Sequence, residues 1–305
     1  MPGGPGAGCM KEDEDTTGTY WRLATVPVIW GGTFIAGRVL ALALPATVGA
    51  LLRFVAASLA LLVATLWFEG RLPRLNRRQL AATLALGATG VFAYNLLFLG
   101  ALTLLPASRT SLIVALNPVV TIMLSAWLFG ERITRVRGLG ILLALAGVWI
   151  VVSRGDPLGS LAGAIGRGEI MMFGAICSWA AYTLIGRGVL RGLTPLAATT
   201  YASLFGSVML ALVALPALLR LDGGALSPAV IASVLYLGLL GTGVAFVWYY
   251  RAVARLGPSR TVIFNNLVPV FGATFGVTLL GEPLLPSMVV GGVLAVAGVM
   301  LVSRG

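Results

Sequence analysis

Residues 108–131, SRTSLIVALNPVVTIMLSAWLFGE, recur as SRTVIFNNLVPVFGATFGVTLLGE at residues 259–282. The residues common to the two stretches, from the first serine to the last glutamate, are all separated by the same 151 positions (259 less 108, and 282 less 131). Nearer the start of each half, Trp30 matches Trp179 at a separation of 149. This period is far too long for a solenoid, so the 305 residues form two copies of one unit.

Composition places both copies in a membrane. The chain is 58% hydrophobic and only 10% charged, with a mean hydropathy of +0.98, whereas a soluble domain is about 25% charged. Apolar runs long enough to cross the hydrocarbon core, about 17–25 residues each, follow one another with short breaks. They lie at 21–42, 47–68, 79–101, 107–129, 136–153, 169–187, 195–219, 229–250, 259–280 and 286–303. The sequence therefore predicts an all-α integral membrane protein with ten transmembrane helices.

Each copy contains five predicted spans. Because five is an odd number, the second copy begins on the opposite side of the membrane and is inverted relative to the first. The loop charges agree with inversion, because Arg132, Arg135 and Arg137 follow the first Gly-Glu pair, whereas residues 283–285 after the second pair carry no positive charge. Inverted repeats place a solute site near the bilayer midplane, between halves that can rock against each other. Transport is therefore the first functional hypothesis.

The distribution of arginine orients the chain. Arginines are concentrated in the even-numbered loops, at Arg71, Arg74, Arg77, Arg78, Arg132, Arg135, Arg137, Arg187, Arg191, Arg251 and Arg255. By the positive-inside rule, these loops and both termini are predicted to be cytoplasmic. The predicted organisation is a disordered cytoplasmic tail over 1–20, a first five-helix repeat over 21–155 and a second, inverted repeat over 156–305. The net charge of +11 is spread over loops rather than gathered on one face, so no nucleic-acid partner is expected.

Several short motifs resemble those of one transporter family. They are the WGGTF run at 30–34, Arg53-Phe54, the Asn117-Pro118 and Val268-Pro269 helix breaks, and the Gly-Glu pairs that close the fourth and ninth spans. Over about 20–305 the chain resembles the ten-helix drug/metabolite transporter superfamily in its EamA branch. The resemblance implies a multi-pass exporter of amino acids, other metabolites or drugs in a bacterial inner membrane. The aromatic content of the inner spans is most similar to that of the aromatic amino-acid exporters of the YddG type.

The placement of ionisable residues bears on the transport mechanism. The ten acids lie in the tail, in loops or within about a turn of a helix end, and the chain contains no histidine. Without a carboxylate or an imidazole at mid-membrane, we expect an uncoupled facilitator that works by alternating access, with coupling through Glu169 or a backbone cation site as the alternative. The same pattern offers no nucleophile with a base and no set of metal ligands, so neither an enzyme nor a cofactor or metal site is expected.

The candidate solute contacts are aromatic and amide side chains deep in the spans, where an indole N–H or a phenol O–H needs a polar partner. The predicted substrate-binding residues are Trp30, Phe34, Tyr94, Phe98, Asn117, Trp179, Tyr182, Phe264 and Asn265. Trp30, Tyr94 and Trp179 are expected to line one midplane cavity that accepts flat or apolar solutes. Helix packing is the alternative role for the rings, and interhelical hydrogen bonding is the alternative for the amides.

Two further patterns leave alternatives open. Arg38 and Arg53 either pair with a solute carboxylate or extend to the membrane interface. The Gly-x-x-x-Ala pairs at 140–144 and 291–295 allow close helix approach, which favours packing of the fifth helix on the tenth over a dimer face. The expected partners are a small-molecule solute and the lipid bilayer, and a monomer is expected, with a dimer as the alternative.

Overall fold

The computed structural model describes residues 7–130, 132–155, 165–189, 192–256, 261 and 264–304, and all regular structure within these ranges is helical. The first helix begins at Ala7, within the segment 1–20 that is predicted to be a disordered tail. The side chains of residues 7–16 lie outside the described part of the chain, and the disorder of this tail stays a prediction. The predicted repeat boundary at 155/156 lies at the edge of the described residues.

The described chain contains ten helices, which we number α1–α10. Their bounds are α1 Ala7–Ala43, α2 Ala46–Glu69, α3 Arg77–Leu104, α4 Ala107–Phe129, α5 Arg135–Val152, α6 Arg167–Val189, α7 Pro195–Leu218, α8 over 228–256, α9 Val268–Leu280 and α10 Pro286–Arg304. Nine of the described helices are long and apolar enough to cross a membrane, and the described part of α9 is a shorter apolar helix. These helices confirm the predicted all-α fold with repeated membrane spans.

Glycine sets the end of several helices. Gly70, Gly130 and Gly281 follow α2, α4 and α9 with φ of 73°, 68° and 65°. This left-handed conformation carries a steric cost for any residue with a Cβ atom, so glycine is favoured there. Gly130 and Gly281 belong to the repeated Gly-Glu pair, so the glycine of this pair ends the fourth helix of each repeat.

The contact of α2 with α7 shows how the two repeats are related. Ser58 and Ser207 are separated by 149 residues, as are Trp30 and Trp179, so they occupy equivalent positions, and their hydroxyl oxygens lie 3.0 Å apart. Further along the same helices, the Thr65 and Thr200 hydroxyls lie 2.7 Å apart, so α2 and α7 run antiparallel. A pseudo-twofold axis therefore passes through this contact.

The contact of α5 with α10 lies on the same kind of axis. Gly140 faces Gly298 and Gly147 faces Gly291, each pair with one glycine from each repeat. A Cβ atom on Gly140 would lie 2.7 Å from the carbonyl oxygen of Gly298, so only glycine allows this backbone approach. The prediction that these small residues pack α5 against α10 is confirmed, and the antiparallel crossing agrees with inverted repeats.

The other helices form two equivalent groups. One group consists of α1 packed on α8 and α9, and the other consists of α6 packed on α3 and α4. Each group therefore combines the first helix of one repeat with the third and fourth helices of the other. The two groups contact each other where α1 meets Tyr94–Leu104 of α3 and where α9 meets the start of α4. The helices of the two repeats are thus combined into two groups that each contain helices from both repeats.

Candidate functional site

Helices α3 and α8 are widened at equivalent places. Gly87–Ala93 of α3 and Tyr236–Val244 of α8 are π-helical, so their backbone hydrogen bonds span one residue more than those of an α-helix. In α3 the Asn95 amide nitrogen donates to the carbonyl of Val91 at 2.7 Å, and the Ser178 hydroxyl of α6 donates to the carbonyl of Thr89 at 2.9 Å. Such segments occur frequently at functional sites, and Tyr94 follows the first of them directly.

Five predicted site residues form one continuous row of rings. Phe34 of α1 contacts Phe98 of α3, with ring centroids 5.5 Å apart, and Phe98 stacks on Tyr94 at 5.6 Å. Tyr94 then contacts Trp179 of α6 at 5.2 Å, and Trp179 contacts Tyr182 at 5.2 Å. We name this set of five residues the aromatic row. It crosses from one helix group to the other.

The members of the aromatic row differ in exposure and hydrogen bonding. Phe34 and Phe98 are only 3% and 2% exposed, so they pack the core. Tyr94 and Trp179 are half-buried. Among the described residues, neither the Tyr94 hydroxyl nor the Trp179 indole N–H has a hydrogen-bond partner. These two polar groups are therefore available to a bound molecule.

Trp30 lies in a second cluster. Its ring contacts Phe246 and Tyr249 of α8 at centroid distances of 5.8 Å and 5.4 Å. Its indole N–H donates to the carbonyl of Gly241 at 2.9 Å. The pseudo-twofold axis relates this cluster to the contact of Trp179 with α3, but here the polar group is satisfied within the protein. The structure therefore brings Tyr94 and Trp179 together and places Trp30 against α8 instead.

The predicted amides lie at helix breaks. Helix α4 is interrupted at 115–116, before Pro118, and the chain has the equivalent interruption at 266–267, before Pro269. Asn117 follows the first break, and its side-chain oxygen is buried without a partner. The Asn265 amide nitrogen lies 3.3 Å from the Tyr249 hydroxyl, to which it donates, and its oxygen is buried without a partner.

Phe264, the remaining predicted contact, faces the first helix rather than the aromatic row. Its ring lies 6.4 Å from that of Tyr20. The structure therefore places Phe264 and Asn265 beside the cluster that contains Trp30.

The two span arginines have different surroundings. Arg38 donates to the backbone carbonyl of Leu102. Arg53 is only 8% exposed, its Nε atom has no partner, and its Cζ atom lies 5.2 Å from the centre of the Phe54 ring. The burial of Arg53 inside the helix bundle contradicts the snorkelling alternative for this residue. For the half-buried Arg38, both alternatives stay predictions.

The arginine-poor end of the bundle, at which α3 ends and α4 begins, is closed by two carboxylates. Glu282 accepts hydrogen bonds from the backbone N–H groups of Ala107 and Ser108, at 2.7 Å and 2.8 Å. Glu169 lies 2.9 Å from Arg109, which also donates to the carbonyl of Val152. Each carboxylate belongs to the second repeat and binds the start of α4 in the first. Sequence reasoning missed these contacts, although the repeated Gly-Glu pair was a signal for the first.

The described contacts differ between the two ends of the bundle. At the arginine-poor end, α1 packs on Tyr94–Leu104 of α3. The pseudo-twofold axis relates this contact to one between α6 and Ala245–Leu256 of α8, and the described residues of these two elements make at most a weak contact. Residues 190–191, 257–260 and 262–263, which belong to the arginine-rich end, lie outside the described part of the chain.

Two surface grooves lie away from the aromatic row. A groove of about 620 Å³ runs between α9 and α10 and is lined by apolar residues such as Val270, Val289 and Val293. Another, of about 430 Å³, lies at the arginine-poor end beside Pro45 and Arg220. The first is an apolar groove on the outer face of the bundle. Neither has the combination of rings and unpaired polar groups found at Tyr94 and Trp179.

Comparison with known proteins agrees with this architecture. The model of the EamA-like transporter family matches residues 19–153 and 166–304, one match in each repeat. An uncharacterized transporter, YyaM, of Bacillus subtilis is 28% identical over 82% of each chain. A probable terminal-alkyne amino-acid exporter of Streptantibioticus cattleyicolor is 33% identical over 93% of each chain. A crystal structure of another protein, 21% identical, has the same fold, with a TM-score of 0.64 over 93% of this chain and 96% of that one.

Proposed function

Because the chain belongs to the EamA-like transporter family of the drug/metabolite transporter superfamily, we propose that it exports amino acids, aromatic or hydrophobic ones in particular. It is a multi-pass membrane transporter, and we place it in a bacterial inner membrane with both termini in the cytoplasm. Of the relatives compared, one bears the name of an amino-acid exporter, which supports this solute class. The alternative is export of other small metabolites or drugs.

The aromatic row is the observation that carries the choice of solute. Tyr94 and Trp179 present ring faces together with an O–H and an N–H that have no partner among the described residues. A buried phenol or indole normally has a polar partner, so a solute that contacts the rings and accepts these hydrogen bonds complements the site. Amino acids with apolar side chains combine an apolar part with hydrogen-bond acceptors in this way.

The arrangement of the helix groups supports alternating access. The arginine-poor end is closed by the Glu282 and Arg109–Glu169 contacts, and at the arginine-rich end the described residues of α6 and α8 make at most a weak contact. A solute enters from the arginine-rich, cytoplasmic end and contacts the aromatic row. Rearrangement of one helix group against the other then opens the opposite end, with the two π-helices and the two proline breaks as the places where helices can bend.

We infer that export runs down the gradient of the solute, without proton coupling. Glu169, the acid considered for coupling, is paired with Arg109, and its second oxygen accepts from the backbone N–H of Gly166 at 3.0 Å. Both carboxylate oxygens of Glu169 are therefore bonded within the protein. Proteoliposomes should release a labelled amino acid equally fast with or without an imposed pH gradient. Accumulation against the solute gradient that an uncoupler abolishes would contradict this inference.

The proposed solute site is tested by efflux from proteoliposomes loaded with labelled amino acids. We expect saturable release of phenylalanine, tryptophan or leucine. Trp179→Ala should raise the half-saturation concentration roughly two- to tenfold, since an aromatic contact contributes about 0.5–1.5 kcal/mol beyond area burial. The control is Trp149→Ala, which removes a half-buried indole from α5, away from the aromatic row. If Trp179→Ala folds normally and has the half-saturation concentration of wild type, the rings of the aromatic row pack the helices and do not bind the solute.

A further inference from the structure

Arg53 is a buried cation for which the structure provides no counter-charge. It lies seven residues into α2 from Ala46, which corresponds to about 10 Å along the helix at about 1.5 Å per residue. Its side chain is 92% buried (8% exposed), and its Nε atom has no partner. No hydrogen bond or ion pair to its guanidinium exists among the described residues. A charge at such a depth in a membrane protein is costly and is typically paired or functional.

Two other arginines of the first repeat have guanidinium groups that bond within the protein. Arg38 donates to the carbonyl of Leu102, and Arg109, whose Nε atom also lacks a partner, binds Glu169 and the carbonyl of Val152. Arg53 differs from these two residues because no hydrogen bond or ion pair joins its guanidinium to any described residue. An aromatic face alone, that of Phe54 at 5.2 Å, stabilises a cation but does not satisfy the five N–H donors of a guanidinium.

Arg53 lies beside the proposed solute site. The helix that carries it, α2, packs on Tyr94–Leu104 of α3, the segment that begins with Tyr94, and on the π-helix of α8. Its backbone carbonyl lies against Gly238 in the π-helix of α8, where a Cβ atom would approach to 2.8 Å. Arg53 is thus held between the aromatic row and one of the two widened segments.

We propose that the Arg53 guanidinium and the Tyr94 hydroxyl bind the carboxylate of the solute, while the Tyr94 and Trp179 rings contact its apolar part. A guanidinium donates two parallel hydrogen bonds to a carboxylate, and this pairing neutralises the buried charge. The inference rests on the proposed function, in that the ligand is a small transported solute, and it adds the chemical group that the site recognises. A free carboxylate is therefore required, and an amine without one is a poor ligand.

The same geometry predicts the effect of Arg53 on the stability of the empty protein. Arg53→Met replaces an unpaired buried charge with an apolar side chain of similar length, so the variant should melt at the same temperature as wild type or higher. Arg38→Met is the matched control, because it removes a guanidinium that is bonded to a carbonyl. Arg38→Met should lower the melting temperature.

The binding experiment uses three probes that share a phenyl ring. Phenylalanine carries a carboxylate and an amine, 3-phenylpropionate carries the carboxylate alone, and phenethylamine carries the amine alone. Binding to the purified full-length protein in detergent is measured by the shift in melting temperature as a function of probe concentration. We expect the two carboxylates to bind wild type and phenethylamine to bind at least tenfold more weakly, the factor typical of losing one charged hydrogen-bonded pair.

The variants then test whether Arg53 makes the carboxylate contact. Arg53→Met should lower the affinity for both carboxylate probes by about tenfold or more. Arg53→Lys should retain part of this affinity because it keeps the charge, and Arg38→Met should bind the probes like wild type. Equal binding of phenethylamine and phenylalanine by wild type would overturn the inference, and so would wild-type affinity in Arg53→Met or no binding of any probe. The comparison of probes on wild type decides the question even if Arg53→Met does not fold.

Failure of this inference is distinguishable from failure of the proposed function. Release of phenylalanine from proteoliposomes with wild-type half-saturation in Arg53→Met would refute the Arg53 site and leave amino-acid export intact. Arg53-dependent binding of 3-phenylpropionate without release of any amino acid would support the carboxylate site and refute amino-acid export.

Discussion

Each π-helix has a tyrosine at one end: Tyr94 directly follows the one in α3, and Tyr236 is the first residue of the one in α8. Their hydroxyl groups differ in hydrogen bonding. The Tyr236 hydroxyl donates to the backbone carbonyl of Ile29 at 2.9 Å, which joins α8 to α1. The Tyr94 hydroxyl has no hydrogen-bond partner among the described residues. A hydroxyl that is satisfied inside the protein contributes to stability, whereas an unsatisfied one beside a row of rings is available for a ligand. We therefore assign a structural role to Tyr236 and a solute-binding role to Tyr94.

We expect Tyr94→Phe and Tyr236→Phe to have opposite effects. Tyr94→Phe should leave the melting temperature unchanged and raise the half-saturation concentration for efflux about fivefold, since it removes a hydrogen bond worth about 1 kcal/mol only when solute is bound. Tyr236→Phe should lower the free energy of unfolding by about 1 kcal/mol with little effect on half-saturation. Efflux kinetics and thermal melts of both variants measure these quantities. A destabilised Tyr94→Phe with normal kinetics would contradict the assignment.

At the scale of elements, helix ends are stabilised by groups from the opposite repeat. The carboxylate of Glu282 accepts from two backbone N–H groups at the start of α4, where the helix has unpaired donors and a partial positive charge. Gly276 packs against Ser108 in the same contact, where a Cβ atom would approach the backbone nitrogen to 2.8 Å. The Gly-Glu pair therefore has two roles, since Gly281 ends α9 and Glu282 caps α4. Glu131, its counterpart in the first repeat, lies outside the described residues.

Removal of this cap should destabilise the closed end. Glu282→Ala leaves two backbone donors of α4 without their partner, and we expect a loss of about 1–2 kcal/mol in the free energy of unfolding, as for other helix caps. Glu69→Ala is the control, because Glu69 accepts a hydrogen bond from the hydroxyl of Thr194 at an exposed position, 2.6 Å away, and exposed contacts contribute little. Urea or thermal denaturation in detergent measures both. Equal stability of the two variants would show that the cap is dispensable.

At the scale of the whole molecule, the arginine distribution and the Glu282 and Arg109–Glu169 contacts distinguish the same two ends of the bundle. The arginine-rich end carries the exposed residues Arg74 and Arg135, and the closed end carries the start of α4 and the exposed residue Asp222. If the arginine-rich end is cytoplasmic, the closed end faces away from the cytoplasm. In the proposed cycle, the solute therefore enters from the arginine-rich end.

This orientation predicts which positions are accessible from outside intact cells. In a background with Cys9 and Cys177 replaced by serine, single cysteines at 74 and 135 should not react with a membrane-impermeant maleimide until the cells are broken. A cysteine at position 222 should react at once. Labelling of positions 74 and 135 in intact cells would reverse the topology and, with it, the direction of the proposed transport.

The sequence itself determined the features that depend on composition and on position along the chain. Mean hydropathy and the length of the apolar runs predicted the helical membrane fold, because each span must satisfy its own backbone hydrogen bonds in lipid. The repeat at 151 residues and the arginine loops predicted the inverted architecture, and the α5–α10 glycines predicted a close crossing. Five of the nine candidate site residues, those of the aromatic row, contact one another in the structure.

The tertiary structure alone decided which side chains meet. Trp30 and Trp179 are equivalent in sequence, yet the first donates to the carbonyl of Gly241 and the second has no partner among the described residues. Arg38 and Arg53 are likewise indistinguishable as charges in apolar runs, and only packing showed that one is bonded and the other is not. Periodicity fixes the face of a helix on which a residue lies, but partners depend on how that helix is rotated and crossed with its neighbours, which is a property of the assembled bundle.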